Sequence, residues 1–376
     1  MLPISRADHV GSLLRPSTVL DVHQRLARGK ASANDVARIE DAAIIDVLAL
    51  QDACGLDVLT DGEYRRSAWA SGFPSAVDGY VGGEPPLPLE WHLGAAGSTQ
   101  SATPVAAGAP GARLIGERLR AVRRIAGDEA AFLNAHVPGR FKITLPAPSY
   151  IVARGWKPGV TDQVYATRGA LASHVAELIH REVDALAADG VAYIQLDNPH
   201  LPDYLGDDKR ARWRSIGVDP DVALREDLAA DNAAIAGVDR SKVVVGCHIC
   251  RGNARSAWHA SGSYDGIAEQ VFTTLDVDRW LLEYDDERSG GFEPLRFMPR
   301  HRVVVLGLIT TKVGMLEPAD ALLRRIDEAA RYLPLDQLAL SPQCGFASVD
   351  TGNLLSSDDQ RRKLTLVADV ARRVWG

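Results

Sequence analysis

Short runs of β-branched and other apolar residues alternate along this chain with longer stretches in which apolar side chains recur every three or four positions. That alternation is typical of a parallel β-sheet whose strands are joined by helices. We count eight candidate strands, at residues 7–12, 56–61, 141–145, 193–197, 243–248, 280–283, 303–308 and 337–340. Eight is the strand number of a (β/α)8 barrel, and neither a G-x-G-x-x-G motif nor a P-loop marks a doubly wound open sheet. The sequence therefore predicts the α/β class and a single (β/α)8 TIM barrel.

Three of the connecting helices have recognisable ends in the sequence. Ser32 and Asp35 have the spacing of a capping box at a helix N-terminus. A second helix is predicted after Thr161, with an apolar stripe that ends before Gly190, a residue suited to close a helix. A third is predicted to begin at Pro318, because proline fits the first turn of a helix.

The length and composition set the domain organisation. The chain has 376 residues, of which 46% are hydrophobic and 24% are charged, enough for one large buried core. We predict a single domain over residues 1–376. Residues 82–111 are rich in Gly, Pro, Ala and Ser and are predicted to form an irregular insertion between strands 2 and 3, a candidate lid or partner contact.

Charge and hydropathy exclude several classes of partner. Lys and Arg number 42 against 49 Asp and Glu, which gives a net charge of −7, so no basic surface for nucleic acid is expected. No apolar run approaches the ~20 residues that cross a bilayer, and the first residues do not resemble a signal peptide. We therefore expect a cytoplasmic protein. Its four cysteines are too few for a disulfide framework and are expected to be free thiols or metal ligands.

Several predicted strands end in polar residues. In a (β/α)8 barrel these ends share one face, where active sites are built. The polar residues at or just beyond the strand ends are Ser12, Asp61, Glu63, Asp197, Asn198, His248, Cys250, Glu283, Thr310, Lys312 and Cys344.

The run VVVGCHIC carries the clearest chemical signal. On a strand His248 and Cys250 point to one side, while Cys247 points to the other and is predicted to pack in the core. A nitrogen and a sulfur on one side suit zinc, although H-x-C alone also fits a packed cysteine beside a hydrogen-bonded histidine. The barrel topology adds Cys344 and Glu283 on the same rim, so we predict a metal site made of His248, Cys250, Glu283 and Cys344.

Catalytic zinc has three protein ligands and one exchangeable position, whereas structural zinc has four permanent ligands. Here the carboxylate of Glu283 is the ligand that a substrate thiol would displace. Coordination to zinc deprotonates a thiol and makes it a nucleophile. Two cysteine ligands leave the bound thiolate electron-rich, which favours attack on carbon over hydrolysis.

These motifs resemble those of the cobalamin-independent methionine synthases and their shorter single-barrel relatives, in the zinc-dependent thiol alkyltransferase superfamily. The resemblance rests on segments that occur in the order of the short relatives, namely RADHVGSLLRP, GLDVLTDGEYRRS, YIQLDNP, VVVGCHICRGN, LEYDDERSGGFEPLRF and LSPQCGFAS. It implies a TIM-barrel methyltransferase with the zinc ligands His248, Cys250, Glu283 and Cys344, the same four that strand geometry gives.

The resemblance also implies that Ser12, Glu63 and Asp197 contact the amino-acid substrate. Two carboxylates would hold its ammonium group, and Ser12 would hold its carboxylate. Alternatives stay open, because Ser12 also suits a cap and Asp197 also suits an ion pair.

Two departures from the full methionine synthases leave the alkyl donor open. This chain has room for one barrel only, so folate binding is not implied. The stretch after the seventh predicted strand, GLITTKVG, offers Thr310, Thr311 and Lys312 where those enzymes carry a histidine that assists proton delivery. A single-barrel relative, epoxyalkane:coenzyme M transferase, opens epoxides, and Arg15, Arg65 and Arg66 are candidate cations for its sulfonate, or else surface ion pairs.

The sequence thus leads to one hypothesis with open alternatives. The chain is expected to be a zinc-dependent alkyltransferase of the methionine biosynthesis type, which transfers a methyl group to a zinc-bound thiolate such as that of homocysteine. Its partners are a small thiol and an alkyl donor, with no nucleic acid and no membrane, and a homo-oligomer is left open. Epoxide opening by a zinc-bound thiolate, a barrel with purely structural zinc and, last, a zinc hydrolase are the alternatives.

Overall fold

The structure is a computed structural model that describes residues 5–94, 100–101 and 113–376. The predicted insertion at 82–111 is therefore described only in part, since residues 95–99 and 102–111 lie outside the described ranges. None of the helices in the described ranges is both long enough and apolar enough to cross a membrane.

A parallel sheet of six strands forms the centre of the molecule. The six strands follow one another across the sheet in chain order, so each strand lies beside the one that precedes it in the chain. Most residues of these strands are buried, as in parallel sheets that are covered on both faces. The ten strands of the described residues are β1 Val77–Gly82, β2 His92–Leu93, β3 Gln100–Ser101, β4 Arg113–Ala121, β5 Ile143–Pro146, β6 Tyr193–Asp197, β7 Val244–Ile249, β8 Arg279–Glu283, β9 Val303–Ile309 and β10 Leu338–Pro342.

Six of the eight predicted strands are present as β5 to β10, within two residues of the predicted bounds. The first two, 7–12 and 56–61, join the sheet only through single parallel bridges, from Ala7 to Leu340 and from Leu59 to Phe141. Side chains supply the physical reason, because they replace part of the backbone pairing. The Asp57 carboxylate accepts hydrogen bonds from the backbone N–H groups of residues 6 and 7, and Gln51 Oε1 accepts from Thr60 N–H. The sheet is thus extended at both edges by irregular segments.

Eleven helices of the described ranges lie between and around these strands. The predicted capping box at Ser32 and Asp35 is present. The helix predicted after Thr161 is Arg168–Ala188, which follows a separate turn of 3₁₀-helix at Thr161–Gln163 and ends two residues before Gly190. Pro318 caps the helix Ala319–Ala329. The helices are α1 Ser17–Ala27, α2 Ala33–Cys54, α3 Gly72–Ala76, α4 Gly127–His136, α5 Pro148–Gly155, α6 Arg168–Ala188, α7 Asp207–Ser215, α8 Pro220–Ala234, α9 Asp265–Thr274, α10 Ala319–Ala329 and α11 Ser357–Trp375.

An antiparallel ribbon flanks the insertion, and the sequence analysis did not predict it. β1 pairs with β4 from Val77 opposite Ala121 to Gly82 opposite Arg113. β2 and β3 form a shorter antiparallel pair within the insertion. The insertion therefore begins and ends on a regular ribbon. The region between the second and third predicted strands, at 56–61 and 141–145, is less irregular than expected.

A buried ion pair connects three segments beneath the carboxyl ends of the strands. Lys142 Nζ donates to Asp8 Oδ1 at 2.7 Å and to Gln195 Oε1 at 2.8 Å, and it also contacts the carbonyl oxygen of His9. The side chains of Lys142 and Asp8 are fully buried. Because each charge has its partner, the interior tolerates both.

Removing one partner of this pair is expected to destabilise the fold strongly. Lys142→Met leaves Asp8 buried beside one cation fewer, so the free energy of unfolding should fall by roughly 3–5 kcal/mol. Lys242→Met is the matched control, since the Lys242 side chain is 79% exposed and pairs with Asp239 on the surface. Urea denaturation of both variants measures the difference, and an equal loss in the two would contradict the structural role of the buried pair.

Candidate functional site

Three potential metal ligands converge at the carboxyl ends of β7 and β10. His248 lies in β7 and Cys250 directly follows it, while Cys344 follows β10. Their ligand atoms all lie within 4.8 Å of one another, and all three residues are buried. Cys247 points the other way and packs in the hydrophobic core, as strand alternation predicts. Nearly a hundred residues of sequence thus separate donors that meet at one point.

The loop after β10 is held against the segment that follows Ala7. Phe346 N–H donates to the Ser12 carbonyl oxygen at 2.8 Å, and Asn253 Nδ2 donates to the Gly345 carbonyl oxygen at 2.6 Å. A Cβ atom on Gly345 would lie 2.0 Å from Ser12 Oγ, so a side chain at this position would push the loop away. The absence of a side chain at Gly345 therefore allows Cys344 to approach the other two donors.

The imidazole of His248 is oriented by the backbone. Its Nδ1 lies 3.0 Å from the Leu281 carbonyl oxygen, which can only accept, so Nδ1 carries the proton, and in the neutral imidazole Nε2 presents a lone pair. Nε2 has no hydrogen bond of good geometry to any described residue. Histidine ligands of metals usually have this arrangement, with the second ring nitrogen donating to a carbonyl or carboxylate.

The two thiols differ in their electrostatic environment. A hydrogen bond from Cys250 lowers the pKa of Cys344 well below its usual value, against the effect of burial, and His248 and Lys312 act in the same direction. The same contact with Cys344, together with burial, raises the pKa of Cys250. Burial lowers the pKa of His248, but the adjacent Cys344 more than compensates and raises it. Negative charge is thus favoured first at Cys344.

Glu283, predicted as the fourth ligand, lies at the end of β8 but outside the group of three. Its Oε2 accepts a hydrogen bond from Arg251 N–H at 2.7 Å, and its Oε1 lies 3.2 Å from Arg288 Nη1. Burial opposes ionisation of this carboxyl, but Lys312, Arg288 and Arg251 together lower its pKa. Glu283 is therefore an ionised carboxylate next to the three donors, and in this structure it is paired with arginine.

A cavity of about 520 Å³ opens onto the three donors. Ser12, Glu63 and Asp197, the predicted substrate contacts, all line it. Its remaining wall is mainly apolar and aromatic, and part of this wall comes from the ribbon and the described part of the insertion, which the sequence analysis did not connect with the site. The aromatic and apolar residues of the wall include Trp69, Tyr80, Leu87, Leu89, Trp91 and Tyr150.

Glu63 has a backbone conformation that is rare outside glycine. Its φ is 61°, its N–H donates to Asp61 Oδ1 at 2.9 Å, and its Oε1 accepts from Thr144 Oγ1 at 2.9 Å. Burial raises the pKa of its carboxyl. Such strain persists only where the surroundings enforce it, and it is common at functional sites.

Asp197 ends β6 opposite His248 of β7. Burial raises its pKa to about 7, although His248 and the hydrogen bond from Gln195 Nε2 at 2.6 Å favour the charged form. The carboxyl is therefore close to half ionised at neutral pH, and a bound cation would shift it to the charged form.

The three arginines proposed for a sulfonate are all occupied. Arg15 donates to four backbone carbonyl groups, Arg65 pairs with Glu40 and Asp41, and Arg66 pairs with Glu129. None of the three lines the cavity. The structure therefore does not support their assignment as cations for an anionic substrate.

The stretch after β9 contains no histidine, and Lys312 is its charged residue near Glu283 and Cys344. Lys312 Nζ donates to the Gly252 carbonyl oxygen at 3.1 Å and to Asn253 Oδ1 at 3.3 Å. His259, which the sequence analysis did not single out, lines the cavity, and its Nδ1 lies 3.8 Å from Asp203 Oδ1. Burial lowers the pKa of His259 to about 4, so its imidazole is neutral at pH 7. No motif marks His259, because only the folded chain brings it to the cavity.

The raised pKa of Asp197 predicts a pH-dependent gain of stability on its removal. The pKa rises from 3.8 unfolded to about 7 folded, so the carboxyl destabilises the fold increasingly from about pH 4 to pH 7. Asp197→Asn should therefore be more stable than wild type by an amount that grows over this window and levels off above it, with a ceiling of about 4 kcal/mol. Urea denaturation of the metal-free proteins from pH 4.5 to 8.5 measures this difference, and a pH-independent difference would contradict it.

Known sequences are similar to this chain over nearly its whole length. Residues 159–372 match the family model described as the cobalamin-independent synthase, catalytic domain. YxjH of Bacillus subtilis, an uncharacterized protein, is 38% identical over 98% of this chain and 94% of its own length. The methionine synthase of Pyrococcus abyssi is 23% identical over 93% of this chain and 88% of its own length.

Two solved structures are similar to this chain over almost its whole length. A candidate vitamin-B12-independent methionine synthase from Listeria monocytogenes is similar with a TM-score of 0.74 and 27% identity, over 99% of this chain and 98% of that chain. The B12-independent methionine synthase from Shewanella sp. W3-18-1, solved with selenomethionine, shares the fold with a TM-score of 0.73 at 18% identity, over 99% of this chain and 98% of that chain. The chain belongs to the family of the cobalamin-independent methionine synthases.

Proposed function

We propose that this protein is a zinc-dependent methyltransferase that alkylates the thiol of a small amino acid such as homocysteine. One observation carries the proposal: the three donors His248, Cys250 and Cys344 meet on the wall of the cavity that Ser12, Glu63 and Asp197 also line. Membership of the methionine synthase family supports the same reaction class. A purely structural metal would not need to face a cavity lined by these polar groups.

The donor set fits zinc. Two sulfurs and one imidazole nitrogen are ligands that zinc prefers, and the unpaired Nε2 of His248 is oriented as a ligand. Glu283 would supply a fourth, exchangeable ligand, because its Oε1 has no hydrogen bond to a described residue. When bound, zinc would lower the pKa of a substrate thiol and fix its sulfur in place.

The carboxylates of the cavity would hold the amino-acid part of the substrate. Glu63 and Asp197 both have raised pKa values, and an ammonium group bound beside them would favour the charged form of each carboxyl. Ser12 Oγ would donate to the substrate carboxylate. These three contacts at the amino-acid end of the substrate would direct its thiol end to His248, Cys250 and Cys344.

In the reaction the substrate sulfur attacks the methyl carbon, a C–S bond forms, and the bond from that carbon to the donor breaks. The thiol proton is released, and the donor leaves with the bonding electron pair. The apolar wall of the cavity would limit the access of water to the nucleophile. Alignment of sulfur and carbon would provide much of the rate, since oriented reactants gain up to ~7–11 kcal/mol.

We also infer that the six-stranded sheet closes into a (β/α)8 barrel in a single domain. The bridges of Ala7 and Leu59 support this, because they place the first two segments at opposite edges of the sheet, and Asp57 N–H donates to the Ala7 carbonyl oxygen between them. A small separate cluster of Val10, Leu281, Val305 and Ala339 is the kind of packing that fills a barrel interior.

Zinc binding is the first test. The purified protein should contain about one zinc per chain, and Cys250→Ser and Cys344→Ser should each lower the zinc content strongly, because oxygen replaces a soft ligand. Cys247→Ala is the matched control, since that neighbouring thiol packs in the core. Elemental analysis after dialysis measures the ratio, and equal retention by all variants would contradict the assigned ligands.

Thioether formation is the second test. Metal-replete protein is incubated with homocysteine or coenzyme M and with methylfolate, a methyl-cobalt compound or an epoxide, and products are identified by mass spectrometry. We expect methionine from homocysteine and a methyl donor. Asp197→Asn should raise the KM for homocysteine by about tenfold, as loss of one charged contact would. A thioether formed only from an epoxide would replace this proposal with epoxide opening.

A further inference from the structure

The acidic run after β8, from Asp285 to Arg288, has no role in the function proposed above. Arg288 is its centre, and the side chain of this arginine is buried. Nε donates to Asp286 Oδ2 at 2.7 Å, Nη2 donates to Asp285 Oδ1 at 3.3 Å, and the guanidinium lies over the Trp258 ring at 5.3 Å. Three contacts therefore fix Arg288 beside Glu283.

The remaining nitrogen of this guanidinium, Nη1, faces Glu283. Arg288 Nη1 lies 3.2 Å from Glu283 Oε1, yet neither atom has a hydrogen bond of good geometry to a described residue. Glu283 Oε2 is held separately by Arg251 N–H at 2.7 Å. Glu283 thus has one oxygen anchored and one oxygen attracted to Arg288 by charge alone. Lys312 and Arg251 are further cations that act on this carboxylate, and Asp285, Cys250 and His259 also interact with it electrostatically.

A carboxylate that leaves a metal inside a buried site needs another cation, because an unpaired buried charge is costly. Arg288 lies close enough to Glu283 to meet this need, with 3.2 Å between Nη1 and Oε1. We propose that Arg288 is the counter-ion that receives Glu283 when the substrate thiol replaces it at the metal. The run from Asp285 to Arg288 then controls thiol affinity, with Arg288 as a positioning residue. This inference rests on the proposed function.

Cobalt-substituted protein provides a direct measurement. The thiolate of homocysteine would replace the Glu283 carboxylate at the metal, the carboxylate would pass to Arg288, and the thiol proton would pass to the buffer. The sulfur-to-cobalt absorption should then increase with homocysteine concentration above the level given by Cys250 and Cys344. Arg288→Met should raise the dissociation constant of homocysteine by about tenfold, a usual size for coupling between two sites. Affinity for cobalt, measured by chelator competition, should be unchanged or higher, because Glu283 loses its alternative partner.

A double-mutant cycle separates this role from general support of the loop. In Glu283→Gln protein no carboxylate has to be received, so adding Arg288→Met should leave homocysteine affinity nearly unchanged. A structural role would weaken binding equally in both backgrounds and would overturn the inference. Arg288→Gln, which keeps a hydrogen-bond donor toward Asp286, serves if Arg288→Met does not fold. Glu287→Gln is the matched control, because Glu287 is exposed.

The outcomes also separate this inference from the proposed function. If homocysteine does not increase the sulfur-to-cobalt absorption of wild-type protein above the level given by Cys250 and Cys344, the proposed function fails. If the absorption increases and Arg288→Met and Arg288→Gln bind homocysteine as wild type does, only the role of Arg288 fails.

Discussion

The site depends on one constraint, the parallel alignment of strands whose carboxyl ends lie at the same edge of the sheet. Hydrogen bonding in register puts Asp197 opposite His248 on neighbouring strands, and Glu283 ends the next strand. Cys344 reaches the same edge because β10 pairs with β9 and because Gly345 packs without a side chain against Ser12. Parallel strand pairing therefore brings together residues that are far apart in the sequence.

Burial then decides the chemistry of these neighbours. Inside the protein a lone charge is costly, so each ionisable group either finds a partner or changes its pKa. Lys142 and Asp8 are paired and structural, whereas Asp197 and Glu63 have raised pKa values and face the cavity. Glu63 and Asp197 both line the space where a substrate would bind.

Glu283 lies between these two situations. It is ionised, and Arg251 and Arg288 hold it, but it is next to three donors that suit zinc. A carboxylate with two competing partners is suited to a site in which one ligand must leave when substrate arrives. The acidic run that follows β8 has a role in such a site, since Asp285 and Asp286 orient Arg288, the arginine that Glu283 faces.

The sequence by itself determined the α/β class, six of the strands, the capping box at Ser32, and the convergence of His248, Cys250 and Cys344, because strand alternation and parallel topology follow from local patterns. Motifs were enough for these features. The tertiary structure alone decided that residues 7–12 and 56–61 join by single bridges, that an antiparallel ribbon flanks the insertion, and that His259 and the aromatic residues wall the cavity. It also decided that Arg15, Arg65 and Arg66 are occupied and that Glu283 faces Arg288. These hydrogen bonds and ion pairs form between side chains from segments that are distant in the sequence. The periodicity of a sequence predicts which residues are buried, but it does not predict which buried charges will pair.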